Sequence, residues 1–148
     1  MNLRITIALV VLFVVVIIGA VLIATPTPIS GPNGDTQKED RFTSENVKVS
    51  SPRPDATVSK TFTVTGEARG TWYFEASFPI FVIDANGSKV GQGIAQAVEN
   101  WMTENFVPFT AQVTIENYSG PATLVFLKDN PSGLPENDDS VSFSVTVQ

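Results

Sequence analysis

The sequence predicts an all-β fold, an antiparallel β-sandwich of about seven strands, preceded by one N-terminal transmembrane α-helix. Three observations carry this prediction. From Asn46 to the C-terminus, apolar and polar residues alternate with a period of two. Clusters of Pro, Gly, Asn and Ser separate the alternating runs. Residues 5–24 form an unbroken apolar run.

The N-terminal elements come first. The run from Ile5 to Ala24 reads ITIALVVLFVVVIIGAVLIA, with no charge and one hydroxyl, Thr6. Twenty helical residues at about 1.5 Å each span roughly 30 Å, the thickness of a bilayer core. Arg4 and the amino terminus flank one end, so residues 1–4 are expected on the cytoplasmic side and the bulk of the chain outside. A cleaved signal peptide is the competing reading. It would show an apolar core of about 7–15 residues and a small-residue cleavage site. This run is longer and ends in Leu22-Ile23-Ala24, which favours an uncleaved signal anchor. Residues 25–45 contain three prolines, two glycines and mixed charge, the composition of a flexible linker. Its root-mean-square reach would be about 25 Å.

Residues 46–148 carry the strands. Val47 and Val49 alternate with polar neighbours, as do Phe62, Val64 and Gly66. The stretch Trp72–Asp84 reads as one long strand, with Trp72, Phe74, Ala76, Phe78, Ile80 and Val82 on one face. Phe109, Ala111, Val113 and Ile115 form another inward row, and Val141, Phe143, Val145 and Val147 the last. Residues 122–127 are apolar on both faces, as a central strand would be. Gly93–Asn105 fits either a strand with a bulge or a short helical turn near Glu99–Thr103. Asn86-Gly87 is the strongest hairpin signal, because both residues tolerate positive φ. About seven short strands with turns between them match a sandwich of immunoglobulin-like type.

Composition excludes several chemistries. The chain has neither Cys nor His, so disulfides, thiolate or imidazole metal sites and Ser-His catalysis are ruled out. Trp72 or Trp101 would fill the core where antibody domains place a disulfide. Net charge is −6, and the residues after the apolar run carry eight basic and fifteen acidic groups. That balance disfavours nucleic acid, since phosphate binding needs clustered Lys and Arg.

An ordered set of motifs runs through this part: VSSPRPDATVSKTFTVTGEARG (49–70), WYFEASFPIFVIDANG (72–87), GIAQA (93–97), WMTENFVPF (101–109) and PSG (131–133). Together they resemble the Gmad2 family, the immunoglobulin-like domain associated with bacterial spore germination proteins. The resemblance covers almost all of the part expected to be exported and none of the anchor or linker. It implies an accessory β-sandwich on membrane-attached bacterial proteins, with no catalytic residues and no cofactor.

Candidate ligand-binding residues are Glu75, Trp101, Glu104 and Phe106. Trp101, Phe106 and Phe109 with Glu104 would suit a glycan or peptide, the rings covering C–H surface and the acid taking hydroxyls. The alternative is that these aromatics plug the end of the sandwich. Glu75 and Asp84 are carboxylates on opposite faces of the expected strand, so they do not make an acid–base pair. Glu75 would instead be solvated or paired with Arg69, and Asp84 would prepare the turn. Asp129–Asp139 is oxygen-rich, but its spacing matches no EF-hand, and no metal site is expected. The expectation is therefore a non-catalytic, membrane-anchored module of the cell envelope, engaging an envelope protein or cell-wall glycan. The alternatives are a carboxylate-dependent cell-wall hydrolase and a calcium-stabilised adhesion domain.

Overall fold

The computed structural model describes residues 41–148; the expected anchor at 5–24 and most of the linker lie outside them. Among the described residues no helix is long and apolar enough to cross a membrane. They form strands β1 (Phe42–Thr43), β2 (Val47–Ser51), β3 (Thr57–Val58), β4 (Thr61–Arg69), β5 (Ser77–Asp84), β6 (Lys89–Ala97), β7 (Phe106–Ile115), β8 (Gly120–Leu127) and β9 (Ser140–Val147). The hydrogen-bonded order is β1-β2-β4-β7-β6-β5-β8-β9-β3. Every pairing is antiparallel except the short β3–β9 contact.

This one sheet is rolled on itself. The rings of Phe42 in β1 and Phe143 in β9 have centroids 5.1 Å apart. In a flat sheet those strands, seven places apart, would be separated by about 34 Å. Rolling brings β2-β4-β7-β6 to face β5-β8-β9, the two-layer strand arrangement of a seven-stranded immunoglobulin-like sandwich. Strand β6 pairs with both β5 and β7 and so joins the layers.

The inward residues of β6 explain why the bend falls there. They are Gly91, Gly93, Ala95 and Ala97, while Gln92, Ile94 and Gln96 point out. A Cβ on Gly93 would lie 2.6 Å from the Gln112 carbonyl oxygen and 2.8 Å from Val113 Cγ2. The small inward face lets Phe78 of β5 and Phe109 of β7 meet edge to face at 5.1 Å. From there the rings continue through Phe126, at 6.3 Å, to Phe143 at 5.8 Å. This column, with Val49, Val64, Leu124 and Val145 around it, is the core of a domain that has no disulfide.

The period-two expectation holds for most inward rows. Val47, Val49, Val64, Phe109, Ala111, Val113, Ile115, Phe143, Val145 and Val147 are buried. It fails at 72–76. Gly70–Trp72 is a 3-10 turn, and the strand begins only at Ser77. Between them Phe74 and Ser77 exchange backbone hydrogen bonds of 3.0 and 3.1 Å. Glu75 and Ala76 have φ of 49° and 63°, so the chain reverses in a turn of type I′ character. Trp72 and Tyr73 are consequently both buried, and Phe74 is exposed. Trp72, at 1 % exposure, is the core tryptophan; Trp101 is only part-buried. Gly93–Asn105 resolves into the end of β6 and an irregular loop. β1 falls within residues 25–45, and the Phe42–Phe143 contact supplies the burial that its composition did not suggest.

The Asn86-Gly87 hairpin forms as expected, with Asp84 as its organiser. The Asp84 carboxylate oxygen Oδ1 accepts the backbone N–H groups of Asn86 and Ser88, both at 2.8 Å. These bonds, the Ser88 one foremost, hold its carboxyl below the ordinary value of 3.8. A carboxylate favoured by the fold stabilises it fully above that value, and the benefit is lost as pH falls through the lowered pKa. Asp84→Ala should therefore lower the melting temperature near pH 7, and the gap to the parent should close below about pH 3.8. Thermal melts of both proteins between neutral and strongly acidic pH test this. A gap that persists at the acid end would contradict it.

Candidate functional site

Three loops meet at one end of the sandwich: β4–β5 (70–76), β6–β7 (98–105) and β8–β9 (128–139). The registers place this convergence: Ala68 pairs with Val107, Ser77 with Gln96, and Leu127 with Ser140. Backbone hydrogen bonds lace the loops together. Ala97 N–H donates to Ala76 O at 2.8 Å, Val98 N–H to Pro108 O at 2.9 Å, and Asp129 N–H to Trp72 O at 3.0 Å. Gly70 packs its α-carbon against the carbonyls of Trp101 and Thr103, leaving no room for a Cβ.

Tyr73 ties the first loop to β7. Its hydroxyl donates to the Val107 carbonyl at 2.7 Å from a buried position. Burial, ahead of any other influence, pushes the phenol well above its usual value of 10.0, so it stays a donor. The β8–β9 loop is braced by Asn130. Its amide Nδ2 donates to Leu134 O and to Asp138 Oδ1, both at 2.8 Å, while its Oδ1 accepts from Ser132 Oγ at 2.5 Å. Asp139 accepts from Asn46 Nδ2 at 3.1 Å. Among the described residues no group of three or more acidic side chains is gathered as a metal ion would require.

All four sequence-derived candidates belong to this end, in different settings. Glu75 is exposed at the reversed turn. Trp101 is part-buried, and its carbonyl accepts Thr103 N–H at 2.8 Å. Glu104 is exposed on the same loop, its carbonyl within 3.4 Å of Arg69 Nη1. Phe106 lies on the outer face of β7, with Lys48 Nζ 3.8 Å and the Arg69 guanidinium 4.2 Å from its ring centroid. Those cations use the ring's π-face, the surface a glycan would stack on. Of the two settings expected for Glu75, solvated or paired with Arg69, its exposure fits the first, and Arg69 is turned to Phe106. Phe109 is in the core, 2 % exposed.

Sequence reasoning missed the exposed apolar residues. Among the described residues the large exposed apolar side chains are Phe74, Ile94, Val98, Met102 and Leu134. Four of them sit on the three loops; Ile94 is on the outer face of β6. Val98 and Met102 carried a signal, since both stand in VENWMTEN, a stretch without period-two alternation, whereas Phe74 stands in a run that reads as alternating. An open hollow of about 600 Å³, lined by Lys89, Gln92, Thr114, Glu116 and Asn117, lies at the other end. Its one ammonium, Lys89, already donates to Gln92 Oε1 at 3.0 Å and lies over Phe81.

Two of the four non-glycine residues with positive φ among the described residues, Glu75 and Ala76, lie in these loops. A non-glycine residue in the left-handed region costs roughly 1–2 kcal/mol. Ala76→Gly should therefore stabilise the domain by about 1 kcal/mol, after the greater freedom that glycine gives the unfolded chain. Urea denaturation of the two proteins tests this; a destabilised variant would mean that the turn is not strained.

A two-layer β-sandwich that gathers three connected loops at one end defines an immunoglobulin-like domain. The family model described as the immunoglobulin-like domain of bacterial spore germination, Gmad2, matches residues 46–133, and the chain belongs to that family. No curated protein and no solved structure matches the chain. The matched segment ends before β9, which nonetheless pairs with every residue of β8.

Proposed function

We propose that this chain is a non-catalytic binding or structural module of the bacterial cell envelope, anchored in the membrane by residues 5–24 and displayed outside the cytoplasm. The observation that carries the binding role is the set of four exposed apolar side chains held on three braced loops. Solvent-exposed apolar surface that a rigid scaffold presents in one place favours contact with a partner. The apolar run and Arg4 support the anchor and its orientation. Membership of a family described by spore germination makes a germination- or wall-associated setting the natural one. An envelope protein or cell-wall glycan is the expected partner.

The test uses the full chain, tagged at its C-terminus, in bacterial cells. Alkaline washing should leave it in the membrane, and protease added to intact spheroplasts should digest the tag. In detergent extracts, retention on envelope protein or on purified peptidoglycan should fall in a Phe74→Ser, Met102→Ser variant. Release by the wash, or a protected tag, would defeat the anchored display. Equal retention of parent and variant would defeat the binding role of the loops.

A further inference from the structure

We propose that the loop end docks a cationic, apolar-centred segment of another protein, and that its carboxylates select that segment. This rests on the binding-module reading above and names the partner's chemistry.

The argument begins with how the exposed apolar residues are flanked. Phe74 is followed by Glu75, Val98 by Glu99, Met102 two residues on by Glu104, and Leu134 two residues on by Glu136. Each of these apolar side chains thus has a carboxylate within two residues. Eight of the twelve carboxylates in residues 41–148 lie in the three loops and the Ser44–Asn46 turn beside them. Those segments contain one basic residue, Lys128, and its ammonium donates to Asn137 O at 3.2 Å. The nearby cations Lys48 and Arg69 are drawn onto Phe106. The surface therefore presents apolar contacts inside a field of one sign.

That combination discriminates between occupants. Anionic lipid and nucleic acid are repelled by the carboxylates. A segment carrying Lys or Arg beside apolar residues matches both features, since complementary charge steers the encounter and apolar contact supplies affinity. Met102, 74 % exposed, is suited to varied apolar shapes because its side chain is unbranched and polarizable. The hydrogen bonds between loops order the surface before binding, which removes part of the entropic penalty of association.

The experiment places a photo-crosslinking residue at Met102 of the full chain in its native membranes. A second version carries it at Ser88, in the hairpin at the opposite end. The expected result is a protein adduct at Met102, not at Ser88, whose attached peptide is net basic and contains apolar residues. Its yield should fall about fivefold between roughly 50 and 500 mM salt, as exposed charges are screened. It should fall similarly in a Glu75→Gln, Glu99→Gln, Glu136→Gln variant whose melting temperature is checked against the parent. A neutral or acidic peptide, a second copy of this chain, a lipid adduct, or a salt-independent yield would each overturn the proposal. An adduct at Ser88 alone would overturn it while leaving the binding-module reading standing. No adduct at either site would defeat both.

Discussion

Phe126→Ala is expected to remove about 3–5 kcal/mol of stability from the domain. The ring is fully buried in β8 and stands between Phe109 and Phe143 in the aromatic column. Truncation loses the transfer energy of the ring and leaves a void bounded by both layers. That void cannot close easily, because Leu124 and Val145 are held in register by continuous ladders with β5 and β9. The column also spans the layers in a domain without disulfides, so no covalent link limits the damage. A domain of this size has a total stability of roughly 5–15 kcal/mol, and the variant would sit near the edge of folding. Urea denaturation of residues 41–148 should show a much lower midpoint with an unchanged slope. A loss under about 1 kcal/mol would mean that the ring does not hold the layers together.

The second large effect has the opposite sign from the one strand propensity suggests. Valine is favoured over glycine in strands, where glycine weakens the element. Gly93→Val should nevertheless destabilise the domain by about 3 kcal/mol, since its new Cβ meets a backbone oxygen that cannot swing aside. That oxygen belongs to Gln112 and would be 2.6 Å away. Relief would require β6 to move from β7, opening the bend that lets Phe78 reach Phe109. The neighbouring Ile94→Ala provides the control. Ile94 faces out at 51 % exposure, and its truncation should change stability by no more than about 0.5 kcal/mol. If Gly93→Val proved neutral or stabilising, β6 would not be the corner of the fold.

Much of the architecture was readable in the sequence for one physical reason. Alternation belongs to the extended backbone itself, so Phe109, Ala111, Val113 and Ile115 had to share a face wherever the strand was placed. The Asn86-Gly87 turn was legible because glycine readily accepts positive φ, and Gly87 adopts 83° there. Glu75-Ala76 was hidden by the same rule: neither residue favours the left-handed region, and the turn exists because surrounding contacts impose it. With that reversal unseen, Phe74 was assigned to the core. The candidate site was therefore legible by region but not by residue. WMTENFVPF pointed to the loop end, while the rings within it divide between core (Phe109), cation-covered outer face (Phe106) and part-buried loop (Trp101).

By itself the sequence determined the strand faces, the apolar N-terminal run, the absence of thiol and imidazole chemistry and the acidic balance, because each follows from composition or local periodicity. Tertiary structure alone decided that the sheet bends at β6, that Phe42 meets Phe143, and that the three loops carrying Phe74, Val98, Met102 and Leu134 come to one end of the fold. Those features join residues far apart in the chain, and their energies come from contacts that no local pattern encodes.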